Sequence, residues 1–135
     1  MKLISTLSAP LVVSTTKSHT AKGMFILNLN NYRNAPFMKL NAAKIAYKLS
    51  MTEQIQALPV MDKLRVRYTM YPKTHRLTDT ANVCSIHEKF FMDALVTLGK
   101  LPEDNYKHCL ESAYIFGSVD KSNPRVDIEL YEVQG

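Results

Sequence analysis

The sequence predicts one α/β domain of the α+β kind, a small mixed β-sheet with two main helices packed on one face. Three observations carry that expectation. The run "KLRVRYTMY", residues 63 to 71, alternates apolar and polar side chains with period two. Two longer stretches, 39 to 57 and 82 to 98, repeat their apolar residues at helical spacing. The predicted elements follow one another as β, α, β, α, β, β without a repeat or a linker, and 135 residues suffice for one core.

In chain order, "MKLISTLSAPLVV" slightly resembles a signal sequence. Its apolar part is short and broken by Ser, Thr and Pro, so an edge strand or irregular arm is expected. "MFILN", 24 to 28, reads as a strand, and "NLNNYRNAP" as an Asn-rich loop closed by Pro36. The helix at 39 to 57 sets Leu40, Ala43, Ala46, Tyr47, Leu49 and Ile55 on its apolar stripe, with Lys39, Lys44 and Lys48 away from it. In the strand 63 to 71, Leu64, Val66, Tyr68 and Met70 form the core side and Arg65, Arg67, Thr69 and Tyr71 the other; Pro72 ends it.

The helix at 82 to 98 gathers Val83, Cys84, His87, Phe90, Phe91, Ala94, Leu95 and Leu98 on one broad arc. Asn82, Lys89 and Asp93 share another stripe, and Gly99 is placed as a stop. His87, within the apolar arc, reads as a core or interface histidine. "KLPED" is a short loop. Residues 107 to 117 and 125 to 133 read as strands around "SVDKSNP", a hairpin-like turn.

Two cysteines make no disulfide framework and read as reduced thiols of a cytoplasmic protein. No apolar run approaches the roughly 18 residues that cross a bilayer, so no membrane partner is expected. The net charge of +5 is unevenly spread. Up to Thr78 there are twelve basic and two acidic residues, a balance of +10; from Asp79 onward there are five basic and ten acidic, a balance of −5. A basic surface bordering an acidic pocket suits a polyanion whose chemistry needs a cation. Lys39, Lys44, Lys48, Arg65, Arg67, Lys73 and Arg76 are candidate phosphate contacts. Tyr32 and Tyr71 are candidates for stacking on unpaired bases.

The acidic candidates flank the second helix in "RLTDTANVCSIHEKFFMDALVTLGKLPED". Carboxylate oxygens suit a hard cation such as Mg²⁺, which keeps waters for a substrate to displace. Asp79 and Asp104 stand at opposite ends of a helix about 24 Å long. They meet only if Asp104 belongs to the next strand's start, or through a second subunit. Read without that cation, Asp79 is a helix cap and Glu103-Asp104 a solvated turn.

Asp79-Thr-Ala-Asn82, then Lys89 followed four residues later by Asp93-Ala-Leu, then Glu103-Asp104, resembles the signature of the RusA family of Holliday junction resolvases. The Asn-rich loop, the first helix and the final two strands resemble that family as well. The resemblance implies a small α/β homodimer that binds four-way DNA junctions and cuts them with Mg²⁺ or Mn²⁺, in a bacterial or phage-infected cell. It gives Asp79 and Asp104 to the metal with Glu103 beside them, Lys89 to catalysis and Asn82 to the binding surface.

Two departures strike the active centre. Ala81 stands where the family carries a second metal-binding Asp, and four extra residues separate Asn82 from Lys89. Glu88 points about 100° away from Lys89 around the helix and offers thin compensation; His75 and His87 are the other side chains able to reach a metal. The expectation is a structure-specific, Mg-dependent endonuclease for branched DNA. Its alternative is a catalytically impaired relative that binds branched DNA or regulates a protein partner.

Overall fold

The alternation in residues 63 to 71 survives folding intact. Leu64, Val66, Tyr68 and Met70 are buried on one side of the strand, while Arg65 and Arg67 lie on the other. That strand anchors the fold in the computed structural model, which describes residues 2–16 and 23–133. Met1 of the expected N-terminal arm lies outside them, as do Lys17 and Lys22 of the basic half.

The described elements run β1 (Lys2–Ala9), β2 (Val12–Ser14), β3 (Met24–Ile26), α1 (Leu29–Asn34), α2 (Phe37–Gln56), β4 (Leu64–Tyr71), α3 (Thr80–Thr97), β5 (Cys109–Phe116) and β6 (Arg125–Glu132). Four strands make one mixed sheet in the order β1-β6-β4-β5, and β2 pairs with β3 in a separate two-stranded ribbon. The fold is thus mixed α+β, with three helices among the described residues.

β5 and β6 do not form the expected hairpin. β5 pairs with β4 in parallel, whereas β6 crosses to the far side of β4 and lies antiparallel to both β4 and β1. The segment between them is tied to the end of β4. Gly117 donates its N–H to the Met70 carbonyl at 2.9 Å, and Asp120 donates to that of Pro72 at 2.8 Å. Gly117 is required there, because a Cβ would come within 2.5 Å of the Tyr71 ring. Arg125 closes the crossing, bonding Asp120 and Asp127 at 2.9 Å each and stacking on Tyr71 at 4.1 Å. Val126, Ile128 and Leu130 then complete the buried face.

The expected edge strand at the N-terminus is present as β1. Its free edge is covered at Ser8, whose N–H and C=O are both met by the Gln54 amide at 2.8 and 2.9 Å. The Asn-rich stretch is a short helix rather than a loop. Asn28 caps it through Oδ1 to the Asn31 N–H at 2.7 Å, and the chain leaves at Ala35 before Pro36.

α2 and α3 pack against each other, and α3 against β4 and β5. Ala43, Tyr47, Met51 and Ile55 form the buried stripe of α2. Leu49, expected on that stripe, is exposed instead, because it lies on the opposite side of the helix from Tyr47 and Met51. α3 buries Cys84, His87, Phe90, Phe91, Ala94 and Leu95 of the expected arc and, in addition, Ile86 and Met92, while Val83 and Leu98 are half-buried. Phe91 meets Tyr68 edge-on at 6.5 Å and Tyr47 meets Phe90 at 5.6 Å, joining both helices to the sheet. Each such fully buried side chain contributes about 1.5–3 kcal/mol by leaving water.

Candidate functional site

α3 positions the candidate chemistry, and its start is an ordinary consequence of sequence. Asp79 is extended (φ −75°, ψ 131°), and its carboxylate accepts the Ala81 N–H at 3.0 Å, satisfying a helix donor that would otherwise lack a partner. Asp79 is exposed. It lies nine residues, about 14 Å of helix axis, before Glu88.

Asp104 stands in the loop that follows α3. The fold turns that loop back: Lys100 donates to the Leu95 carbonyl at 2.8 Å, and Leu101 is buried. Asp104 thereby comes within electrostatic reach of Glu88, Asp93 and Lys89. Partial burial, then the charges of Glu88 and Asp93, push its carboxyl above the ordinary carboxylate range, while Lys89 opposes them. Glu103 beside it is exposed and accepts from the Asn105 side chain at 2.8 Å.

Glu88 is half-buried and accepts the Tyr114 hydroxyl of β5 at 2.5 Å. Burial, and then this bond, raise the phenol so that it stays a donor. Lys89 is exposed, with its ammonium 5.7 Å from the Tyr32 ring centroid. One turn earlier the Ser85 hydroxyl is shut off from solvent with no hydrogen-bond partner among the described residues. Residues three and four apart on a helix are neighbours, so this hydroxyl adjoins both Glu88 and Lys89.

The structure therefore brings Asp104 within electrostatic reach of Lys89 from the sequence-derived set, and adds Glu88 to them. It leaves Asp79 at the far end of the helix. Among the described residues no three His, Cys, Asp or Glu side chains form a group able to hold a metal ion. Two carboxylates suffice where Mg²⁺ takes its remaining ligands from water and substrate phosphate. Their mutual repulsion, and an enclosed hydroxyl without a partner, fit such an ion. Glu88 lies about 100° round the helix from Lys89, yet Asp104 is within electrostatic reach of both. Only the path of the loop after α3 reveals this, and no spacing in α3 encodes it.

The basic candidates divide into three groups. Lys73 and Arg76 are exposed in the segment between β4 and α3. Arg76 and Asn82 line a cavity of about 390 Å³ with Asn28, Asn30 and Leu77. Arg67 is exposed beside the Tyr131 ring at 5.9 Å, and Arg65 is half-buried on the same side of the sheet. Lys39 and Lys44 are exposed and Lys48 half-buried on α2. His75 lies in the exposed segment after β4, whereas His87 is wholly buried. No helix among the described residues is long and apolar enough to cross a membrane. No protein-family model matches the chain, and neither does any curated protein sequence.

Proposed function

We propose that the chain is a RusA-like endonuclease of branched DNA whose acidic centre is Glu88 with Asp104, Glu88 standing in for the carboxylate missing at Ala81. The observation that supports this reading is the electrostatic coupling of Asp104 to Glu88, Asp93 and Lys89. Glu88 and Asp104 would hold Mg²⁺, which supplies charge stabilisation and a lowered pKa for attacking water. Tyr114 fixes the Glu88 carboxylate, leaving its other oxygen free to turn toward Asp104. Lys89, outermost of the group, supplies the positive charge that positions a phosphate. Lys73 and Arg76 extend positive charge toward the start of α3, where DNA arms would lie.

The test is cleavage of a synthetic four-way junction with Mg²⁺ or Mn²⁺. Glu88→Gln and Asp104→Asn should each lower the rate roughly 100-fold, at least as much as losing an outer-shell partner of a metal ligand. Ala81→Asp should leave it unchanged. Cuts that persist in Glu88→Gln but vanish in Asp79→Asn would return the centre to the helix start and sink this assignment.

A second reading rests on the engagement of Asp79 as a cap beside Ala81. On it, the protein binds branched DNA without cutting, or regulates a protein partner. Salt-sensitive junction binding with no cuts supports it; absence of such binding leaves the protein partner alone.

A further inference from the structure

α2 has two apolar faces. Its inner face, Ala43, Tyr47, Met51 and Ile55, is buried. Met38, Ile45 and Leu49 fall within about 40° of one another on the opposite side of the helix. These three remain exposed at 83, 48 and 70%. With Ala42 they form the series 38, 42, 45, 49, whose steps of four, three and four are those of an a/d seam that receives one other helix. A helix lying on a membrane presents a broader apolar arc than this. The surface continues past the start of α2, where Phe37 is exposed and a shallow cavity of about 310 Å³ is lined by Met24, Ile26, Pro36 and Lys39.

The flanks say which helix fits. Lys39 and Lys48 border the seam, one on each flank, and residues 37 to 52 contain no Asp or Glu. A second copy of α2 is disfavoured by that pattern. Over residues 37 to 52 a second copy brings only further lysines and no carboxylate to either flank. An acidic partner reverses the sign of every flanking contact.

We propose that the outer face of α2 docks an acidic amphipathic helix of a partner protein, its apolar residues on Met38, Ile45 and Leu49 and its carboxylates beside Lys39 and Lys48. This surface is separate from the Glu88–Asp104 centre, and the proposal does not depend on nuclease activity.

The test screens the full chain against a displayed library of helical peptides about five turns long. It then measures one enriched peptide by fluorescence anisotropy. Enrichment of sequences with apolar residues at three- and four-residue steps and Glu or Asp between them is expected. Ile45→Glu/Leu49→Glu, and separately Lys39→Gln/Lys48→Gln, should each weaken binding about tenfold or more, as for loss of central contacts. Lys39, Ile45 and Leu49 are exposed and Lys48 is half-buried, so circular dichroism and thermal melts should stay close to the parent's. Four results would overturn the proposal. The first is enrichment of no peptide, or of peptides without acidic bias. The second is unchanged affinity in Ile45→Glu/Leu49→Glu, which would reduce the contact to charge attraction. The third is a dimer in sedimentation that those substitutions abolish. The fourth is binding to vesicles rich in phosphatidylglycerol in place of the peptide.

Discussion

His87 and Glu88 are consecutive in α3 and occupy opposite media. His87 is wholly buried, edge-on to Tyr47 at 5.8 Å, and neither ring nitrogen has a hydrogen-bond partner among the described residues. Burial alone lowers its pKa to about 3. Glu88 is half-buried, bonded to Tyr114, and shares its surroundings with Asp104 and Lys89. The absence of water sets the protonation of His87, whereas Glu88 keeps a hydrogen-bond partner and charged neighbours. The inner arc of α3 therefore limits the conditions under which the fold survives, and the outer arc carries the proposed acidic centre.

The largest expected effect breaks the inner side. A histidine whose folded pKa lies near 3 stays neutral in the native state while the unfolded chain, near 6.5, takes up a proton. Stability is therefore retained above pH 6.5 and falls as pH drops from 6.5 toward 3. The full loss is on the order of 5 kcal/mol at about 1.4 kcal/mol per pH unit. Urea unfolding of the parent and of His87→Leu at pH 7, 6, 5 and 4 checks this. The substitution should remove most of the decline, and parallel curves would show that His87 is not its source.

A smaller effect sharpens the outer side. Tyr114→Phe removes one hydrogen bond to a half-buried carboxylate and should cost about 1 kcal/mol in the same measurement. It should also lower junction cleavage, because Glu88 loses the contact that orients it. The smallest effect has the opposite sign: Asp104→Asn relieves repulsion from Glu88 and Asp93, so its melting temperature should equal or exceed the parent's while cleavage is lost. A clear fall in melting temperature would show that Asp104 has a structural role instead.

Local periodicity was enough to read β4 and the buried arc of α3, because period two and period 3.6 report directly which side chains face the core. It misplaced Leu49 because α2 carries two apolar faces, and spacing does not say which one the sheet covers. Asn and Pro in "NLNNYRNAP" suggested a loop; the same residues serve as the cap and the exit of a one-and-a-half-turn helix. The supposed hairpin failed on a non-local fact, since β1 competes for β6 and β4 accepts it on its other edge. The candidate site divides in the same way. Lys89 and Asp104 were legible as a pattern, and Asp79 as a cap. Glu88 joins them only because residues 98 to 104 fold back along the helix, which depends on the burial of Leu101 and the bond from Lys100 to Leu95.

The crossing of β6 to the centre of the sheet also governs the order in which the chain folds. Lys2 pairs with Glu132 and Ala9 with Val126, so β1 has no sheet neighbour until β6 arrives. During synthesis the helices and the β4–β5 pair are available well before that event, but the four-stranded sheet closes only when residue 132 clears the ribosome. Contacts this distant in sequence are slow to form. Until they do, the apolar sides of both β1 and β4 stay open, and that interval is when the nascent protein is most exposed to aggregation.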